Sequence, residues 1–342
     1  MLHAAFRIFR SLISMSTNPL LLSALLLCAG TSALFSQKDH VYASTGQQKL
    51  LINPALAAST KGLDIQTLAS YRPGYSPSAT VYTGVSYSGK KLGIGLSNSY
   101  YSGQYYCRDY ASNQTDLSIS YKVKLSSKVT LVPSLQASFI EKKVDDGNIT
   151  FHDLIFNSGP SSLYIVPPAY PESSKKQSAS FSTGLLLDIN KTITFGVAVY
   201  DINQPDVGLF YAEKLPLTQH YHLAMQLFKD KKISLQPYAV VKLQGGNRQK
   251  YGEIGAFTSY KMFSLHTGLR NEFAYAHVLD HLDFIKIKEI RLLAGINFSH
   301  KGFKLGYTIN TNLDNMYNNG HEIFLSAGLF NKNPSKDNLM LN

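Results

Sequence analysis

The sequence contains no tryptophan and only two cysteines, and charged residues make up 16% of its 342 residues. Cys28 lies in an N-terminal apolar run that we expect to be cleaved off, so Cys107 has no partner for an internal disulfide. A fold held together by disulfide bonds is therefore excluded, and we interpret Cys107 as structurally incidental.

Long hydrophobic runs are also missing. The run Leu20–Cys28 is shorter than the roughly 20 apolar residues that a membrane-spanning helix needs, and no other stretch approaches that length. Any insertion into a membrane is therefore expected to use strands that close into a barrel. With Arg7 and Arg10 before it and small residues after it, the run predicts a secretory signal peptide over residues 1–36. Leu27 stands where a lipoprotein signal has a small residue, so no lipid anchor is expected.

The net charge is positive but spread along the chain. It is +11 for the whole sequence and falls to +9 without the two arginines of the signal peptide. Lysine pairs beside presumed turns suit solvation or contact with anionic lipid headgroups, and no nucleic-acid partner is expected. These pairs are Lys90-Lys91, Lys142-Lys143, Lys175-Lys176 and Lys231-Lys232.

The abundant residues are 22 tyrosines, 18 phenylalanines and 24 glycines, a mixture typical of many strands joined by turns. From residue 65 onward, segments of about ten residues alternate in side-chain character, which indicates strands with two different faces. About ten residues also suffice for a tilted strand to cross a bilayer. We predict fourteen strands, at 65–71, 79–87, 91–100, 114–124, 128–141, 178–188, 192–202, 218–228, 232–243, 249–260, 262–272, 286–298, 302–312 and 321–330.

Short and long connections alternate between these strands, as in an up-and-down barrel with both termini in the periplasm. The connection 245–248 is the exception, since it is brief where a long loop is expected. The predicted long loops are 72–78, 101–113, 142–177, 203–217, 273–285 and 313–320. The predicted organisation is a signal peptide (1–36), a periplasmic N-terminal segment (37–64), an outer-membrane barrel (65–330) and a periplasmic C-terminal tail (331–342).

Two faces are readable within single strands. Apolar residues are expected to contact lipid, and the small or polar residues between them are expected to face the lumen, where they leave room for polar side chains or water. Tyrosines near the strand ends predict aromatic girdles. In one strand Leu92, Ile94 and Leu96 alternate with Gly93, Gly95 and Ser97; in the last, Ile323, Leu325, Ala327 and Leu329 alternate with Glu322, Phe324, Ser326 and Gly328.

Three short motifs occur in order along the chain. Asn53-Pro54-Ala55 stands near the expected mature start, Asn203-Gln204-Pro205 follows a middle strand, and Gly320-His321-Glu322-Ile323 opens the last strand. With these motifs over fourteen strands, the whole mature chain resembles the PorP/SprF family. It departs from the family pattern where Asn319-Gly320 replaces Gly-Ser, and because loop 72–78 lacks the tryptophan of many relatives.

The resemblance implies an outer-membrane component of the type IX secretion system or gliding machinery, without enzymatic activity or cofactor. Its partners would be outer-membrane lipid, type IX secretion components and a secreted or surface-anchored adhesin-like protein. Residues 38–60 would form a short plug or docking segment, or simply lead to the first strand. A porin or substrate-specific channel is the alternative. The candidate partner-binding residues are Asn53, Pro54, Asn203, Gln204, Pro205, His321 and Glu322, although His321 and Glu322 equally suit a hydrogen-bonding or register role.

Other polar clusters carry no clear chemistry. The set His277, His281 and Asp283 falls in a predicted loop, where histidines four apart do not align as on a helix, so no metal site is expected. The stretch 145–148 lacks the acidic series of a calcium loop. The remaining histidines accompany no nucleophile motif. We expect loop 142–177 to fold over the barrel mouth or to contact a secreted partner; a poorly ordered surface loop is the alternative.

Overall fold

A computed structural model describes residues 48–59, 61–73, 77–105, 108–145, 173–209, 212–228, 232–245, 249–277, 284–313 and 319–329. The predicted signal peptide and C-terminal tail lie outside these residues. Within them, the strands form one antiparallel sheet that closes into a fourteen-strand barrel. The predicted fold class, an all-β transmembrane up-and-down barrel of about 14 strands, is confirmed.

The wall consists of fifteen strand segments, because its fourth strand is interrupted at Lys122 and continues as the two-residue segment β5. Each of the fourteen predicted strands corresponds to one wall strand. Closure comes from pairing of β1 with β15 and of β4 with β6. The strands are β1 (Gly62–Arg72), β2 (Ser78–Ser88), β3 (Leu92–Tyr105), β4 (Arg108–Tyr121), β5 (Val123–Lys124), β6 (Val129–Asp145), β7 (Ser173–Ile189), β8 (Ile193–Tyr200), β9 (Thr218–Met225), β10 (Ile233–Gln244), β11 (Gln249–Tyr260), β12 (Phe263–His277), β13 (Phe284–His300), β14 (Phe303–Asn312) and β15 (Gly320–Leu329).

One end of the barrel, which we call the turn end, has mostly short turns, and the opposite end, which we call the loop end, has the longest connections, those after β6 and after β8. At the turn end, Asn190 and Lys191 have φ values of 55° and 54°, and Lys301 and Gly302 have 46° and 88°. Positive φ at two successive residues is typical of the tight hairpin turns that match strand twist. A Cβ at Gly302 would also lie 2.6 Å from the carbonyl oxygen of Gly328, so glycine is required there.

Several strands continue farther toward the loop end than the sequence predicted. β3 and β4 reach Tyr105 and Arg108, so the predicted loop 101–113 was wrong for its described residues. Polar and aromatic pairs hold this extension together: Asn98 Nδ2 donates to Asn113 Oδ1 at 2.7 Å, and the rings of Tyr101 and Tyr110 lie 5.8 Å apart. A strand inside lipid needs apolar residues on its outer face, but the part of a strand that stands in water does not. The extension therefore lacks the alternation from which strands were predicted. The same extension shortens loop 142–177 to 146–172, which lies outside the described residues.

The two predicted faces are confirmed. Leu92, Ile94 and Leu96 are exposed on the outside, whereas Gly93 and Gly95 are buried on the inside. Exposed apolar side chains surround the described wall, with Leu135 at 70% and Ile254 at 64% among the most exposed, which is the belt that a hydrocarbon layer requires. No helix in the described part of the chain is long and apolar enough to cross a membrane.

Candidate functional site: a filled lumen and its outer rim

The chain before β1 lies inside the barrel. Residues 48–59, which we call the plug, form a short α-helix, α1 (Lys49–Ile52), and a 3-10 helix (Pro54–Ala58). The 3-10 helix packs on the inner faces of β2, β3, β4, β6 and β7. All plug residues except the half-buried Leu51 are buried. The segment expected as 37–64 therefore lies in the lumen over its described residues 48–59, and its last residues, 62–64, belong to β1.

The plug gives the lumen an apolar core. The inner wall is rich in serine and offers few apolar groups of its own. The alanines and leucines of the plug supply such groups and exclude water from the part of the lumen that they fill. Leu51 packs on a second cluster of Leu68, Tyr82 and Phe324. The main cluster joins Ile52, Ala55, Leu56 and Ala58 of the plug to the inward residues Val132, Leu186, Ala224, Tyr238, Val240, Tyr251 and Phe257.

Asn53 anchors the plug to the wall. Its side-chain Oδ1 accepts a hydrogen bond from Ala55 N at 2.9 Å, which caps the 3-10 helix. Its Nδ2 donates to two main-chain carbonyl oxygens, those of Leu185 in β7 and Val197 in β8, each at 3.1 Å. Pro54 begins the 3-10 helix, where its fixed φ suits the first helical position. The Asn-Pro-Ala motif therefore caps the 3-10 helix and also attaches the plug to β7 and β8.

Two glycines allow Asn53 to reach the wall. A Cβ at Gly184 would overlap Asn53 Oδ1 and lie 2.8 Å from Ser134 Oγ, and a Cβ at Gly196 would lie 2.9 Å from Asn53 Nδ2. We call Gly184 and Gly196 the glycine notch. Any side chain here would keep the amide from the strand carbonyls. From the sequence, small inward residues were expected to leave room for polar side chains or water. At Gly184 and Gly196 they leave room for the plug instead.

Side chains from the wall also hold the main chain of the plug. Tyr200 Oη donates to the carbonyl oxygen of Leu51 at 3.1 Å, and His220 Nδ1 lies 3.3 Å from that of Ile52. At the turn end, Ser88 Oγ donates to Ala58 O at 3.2 Å. A buried ion pair of 3.3 Å between Lys49 Nζ and Asp64 Oδ2 joins the plug to β1. These bonds satisfy helix-end carbonyls that would otherwise be buried without partners.

A cluster of charged side chains fills the lumen beside β11, β12 and β13. Arg270, which is fully buried, donates to Glu253 Oε2 from Nε at 2.8 Å and pairs with Glu272 Oε1 at 3.4 Å. Arg291 pairs with Glu272 at 3.5 Å and with Glu289. We call these five residues the ionic cluster. The charges alternate in sign along β12 and along β13, and Glu253 lies opposite Arg270 on the neighbouring strand, so each charge has a partner of opposite sign.

Aromatic groups extend the ionic cluster toward the plug. The Tyr238 hydroxyl donates to Glu253 Oε1 at 2.6 Å and lies 2.6 Å from His266 Nε2. The His266 ring stacks on Phe257, which belongs to the apolar cluster around the plug. Plug and ionic cluster thus meet, and inward side chains such as Ser118, Ser182, Arg270 and Leu293 are almost completely buried. A water-filled lumen would leave such residues exposed.

The motif Asn203-Gln204-Pro205 lies at the loop end, just beyond the end of β8. Asn203 Nδ2 donates to Ala179 O at 2.9 Å, and Asn203 Oδ1 accepts from Phe181 N at 3.0 Å. The side-chain amide thereby takes the place of a strand neighbour for β7. Gln204 has a φ of 44°, and its N–H donates to Asp201 O, so the chain turns here.

After this turn the chain doubles back as a small hairpin, 205–215, which we call the rim hairpin over its described residues. Leu215 N donates to Pro205 O at 2.9 Å, and Val207 N donates to Glu213 O at 2.8 Å. Val207 and Leu215 pack on Ile140, which faces inward from β6. The motif therefore directs the chain from the wall onto the inner side of the rim.

Asp206 fastens the rim hairpin, and we expect this fastening to depend on pH. Its carboxylate pairs with Lys176 Nζ at 2.8 Å and accepts from Glu213 N and Gly208 N. The hydrogen bond from Lys176 has the largest effect on this carboxylate, followed by the two main-chain bonds. Together they lower the pKa of Asp206 from 3.8 to about 2. Because the pKa is lower in the folded hairpin, this stabilisation is complete above pH 4 and is lost as pH falls through 2.

Amide hydrogen exchange at Gly208 and Glu213 should therefore quicken between pH 4 and pH 2, after correction for the intrinsic rate. In the variant Asp206→Asn the corrected rate should be constant over this range. An equal pH dependence in both proteins would show that another group controls the hairpin.

His321 and Glu322 point to opposite faces of β15. His321 faces outward, with Nδ1 2.7 Å from the Tyr307 hydroxyl, while Glu322 faces the lumen and is 2% exposed. The seven candidate residues therefore do not form one site. Asn53 and Pro54 lie in the lumen, residues 203–205 at the rim, and His321 on the outer face.

Sequence reasoning missed the groups that receive the plug. These groups are at inward positions of β7, β8 and β9: Gly184, Gly196, Tyr200 and His220. The alternation along each strand predicts that they face inward, but nothing in the sequence pattern links them to the plug. Among the residues that the structure describes, no group of three or more His, Cys, Asp or Glu side chains is placed to hold a metal ion. The predicted loop set His277, His281 and Asp283 lies outside the described side chains.

Comparison with known proteins identifies a family and a fold. A family model described as "Type IX secretion system membrane protein PorP/SprF" matches residues 34–327. No curated protein matches the chain. Among solved structures, the CymD monoaromatic hydrocarbon channel is similar with a TM-score of 0.52 at 11% identity, over 83% of this chain and 92% of that one. The toluene transporter TbuX of Ralstonia pickettii gives a TM-score of 0.47 at 10% identity, over 82% and 93% of the two chains. At such identity the similarity to CymD shows a shared barrel fold only.

Proposed function

Because the chain belongs to the PorP/SprF family of type IX secretion system membrane proteins, we propose that it is a binding barrel, in which a filled lumen supports contact surfaces at both ends. It lies in the outer membrane of a Gram-negative bacterium. It binds periplasmic components of the secretion or gliding machinery and helps to export or anchor a surface protein, and it has no catalytic role.

The filled lumen is the observation that supports this proposal. The plug and the ionic cluster occupy the space in which a channel would hold water, and each is fixed by several hydrogen bonds or ion pairs. A barrel closed in this way supplies a rigid frame and not a path for solutes. Its useful surfaces are then the turn end, which we assign to the periplasm, and the loop end, which we assign to the cell surface.

The loop end offers the larger surface. β6, β7 and β13 are 17 residues long, against eight for β8 and β9, so the wall is uneven in height. The rim hairpin covers the inner side of the tall part at β6 and β7. An uneven rim of this kind suits contact with another protein, since it presents strand edges and side chains outside the lipid.

Purification with a conductance measurement tests the proposal. The tagged protein, extracted from outer membranes in mild detergent, should retain type IX secretion components and an exported surface protein. The same sample in a planar bilayer should show almost no steady current, because the lumen is filled. A solitary barrel with a stable open-channel current would contradict the proposal and support the alternative, a porin or substrate-specific channel.

A further inference from the structure

Exposed lysines surround the turn end of the barrel. Six turns join the strands there, and five of them hold at least one lysine that is exposed and has no carboxylate partner in the described part of the chain. The sixth turn, between β7 and β8, also carries a lysine, Lys191. We call the seven lysines of the five turns the lysine ring: Lys90, Lys91, Lys124, Lys128, Lys232, Lys261 and Lys301.

Carboxylates do not balance the charge of the lysine ring. Among the described strand residues near the turn end, the acidic side chains are those of Asp64 and Asp188, and both are buried inside the barrel. Asp64 is already paired with Lys49 of the plug. The loop end has charges of both signs, which form pairs such as that of Lys175 with Glu141. A surface charge of one sign therefore distinguishes the turn end.

Two lysines of the ring have a backbone conformation that does not favour lysine. The φ values of Lys261 and Lys301 are 53° and 46°, which lie in the left-handed region. Glycine and asparagine adopt this conformation with less strain and are the usual residues at such positions of a hairpin turn. The geometry of these turns therefore does not explain why lysine is present, and the charge of the side chain is the property that needs a role.

Exposed apolar side chains accompany the lysine ring at each of its five turns. Three of them, Leu92, Ile233 and Phe303, are at outward positions of β3, β10 and β14, so they continue the apolar belt of the wall. An ammonium group beside an exposed apolar group suits the boundary between acyl chains and lipid headgroups. The apolar residues within two positions of a ring lysine are Leu92, Leu125, Ile233, Met262 and Phe303.

The position of Lys261 shows on which side of the wall its charge lies. Its Nζ is 5.3 Å from the centre of the Tyr260 ring, and Tyr260 is exposed on the outer face of β11. The ammonium group therefore lies beside the outside of the barrel. Lipids of the surrounding leaflet reach this position at every strand, whereas a protein docked below the lumen would not. The distribution of the lysines around the whole barrel also matches a leaflet.

We propose that the lysine ring binds the phosphate groups of anionic phospholipids in the periplasmic leaflet of the outer membrane. The ring lysines donate hydrogen bonds to phosphate oxygens, and the neighbouring apolar side chains contact the acyl chains of the same lipids. The ring thereby fixes the depth of the turn end in the membrane. This inference goes beyond the proposed function and needs only the assignment of the turn end to the periplasm.

Lipid association in vesicles tests the proposal. The full-length protein is reconstituted in phosphatidylcholine vesicles that contain a trace of spin-labelled phosphatidylglycerol or spin-labelled phosphatidylcholine. Electron paramagnetic resonance spectra separate lipids in contact with the barrel from bulk lipids, so they give the relative association constant of the two lipids. Heat-dependent gel migration shows that each variant has folded.

Three variants are compared with the unaltered protein. The glutamine variant replaces all seven ring lysines by glutamine, and the arginine variant replaces the same lysines by arginine, which keeps the charge. The loop-end variant carries Lys143→Gln, Lys175→Gln and Lys214→Gln, which are exposed lysines of the opposite end.

We expect the unaltered protein to prefer phosphatidylglycerol about fivefold in about 0.1 M salt, since one lysine near an anionic surface contributes about this factor. The preference should nearly disappear in about 1 M salt, because the charges are then screened. It should be kept by the arginine variant and by the loop-end variant. The glutamine variant should lose most of it.

Equal association of the two lipids with the unaltered protein would overturn the proposal. So would a preference that persists in the glutamine variant or that the loop-end variant loses instead. The proposed binding role is judged separately, by co-purification of partners with the unaltered protein. If the two lipids associate equally and only the glutamine variant loses its periplasmic partners, the ring binds an acidic protein and not lipid.

Discussion

Replacing Gly184 by leucine should displace the plug and convert the closed barrel into one that conducts ions. The new side chain would occupy the position of Asn53 Oδ1 and approach Pro54 Cδ, so the amide would lose its bonds to Leu185 O and Val197 O. Each lost hydrogen bond costs about 1 kcal/mol, and a buried amide without partners costs about 1–3 kcal/mol more. Without its anchor, the plug is expected to leave the lumen.

Single-channel recordings in planar bilayers measure this effect. The matched control is Gly252→Leu, because Gly252 lies on the outer face and a Cβ there meets nothing within 4 Å. We expect frequent, long openings for Gly184→Leu and none for Gly252→Leu. Asn53→Ala, which removes the anchor without adding bulk, should open less often. Folded Gly184→Leu protein that stays closed would mean that the notch does not hold the plug.

Replacing Arg270 by methionine should cause the largest loss of stability. The substitution leaves Glu253 and Glu272 buried without their main positive partner. Breaking a buried ion pair in this way costs about 3–5 kcal/mol, mostly because the remaining charge stays in a poorly solvating environment. Arg270 also lies over the ring of Tyr251 at 4.9 Å, a contact that methionine keeps only in part.

Guanidinium-induced unfolding in detergent micelles measures the change in unfolding free energy. Lys261→Met at an exposed turn is the control, and it should alter stability by no more than about 0.5 kcal/mol. The triple variant Arg270→Met, Glu253→Gln, Glu272→Gln should regain most of the loss, since no buried charge then lacks a partner. An Arg270→Met protein as stable as the unaltered one would show that the ionic cluster is not needed for stability.

The strands were predictable because lipid and lumen impose different chemistry on alternate residues. That signal ends where the wall leaves the membrane: the sequence of residues 101–113 has no alternation of apolar and polar residues, so it predicted a loop where β3 and β4 continue. The fold class thus followed from a local pattern, while the height of the rim depends on pairing between strands that the pattern does not contain.

The contents of the lumen were predictable only in part. Asn53 was singled out by family resemblance, yet the carbonyl groups that it binds lie 132 and 144 residues further along the chain. The ionic cluster was likewise hidden, because Glu253 and Arg270 become neighbours only through the register of β11 with β12. The sequence of one strand predicts which of its residues face inward. It does not predict which residues of other strands those inward residues contact.

The path of the plug has a mechanical consequence for the barrel. Lys49 and Leu51 contact β1 and the cluster at the β1–β15 seam, while Asn53 is fixed to β7 and β8 on the opposite wall. Within five residues the chain therefore spans the cross-section like a brace. A sideways force on the wall at β7 is transmitted through plug residues 49–53 to the paired strands β1 and β15. The circular cross-section of the barrel is therefore maintained by the plug as well as by the pairing of its strands.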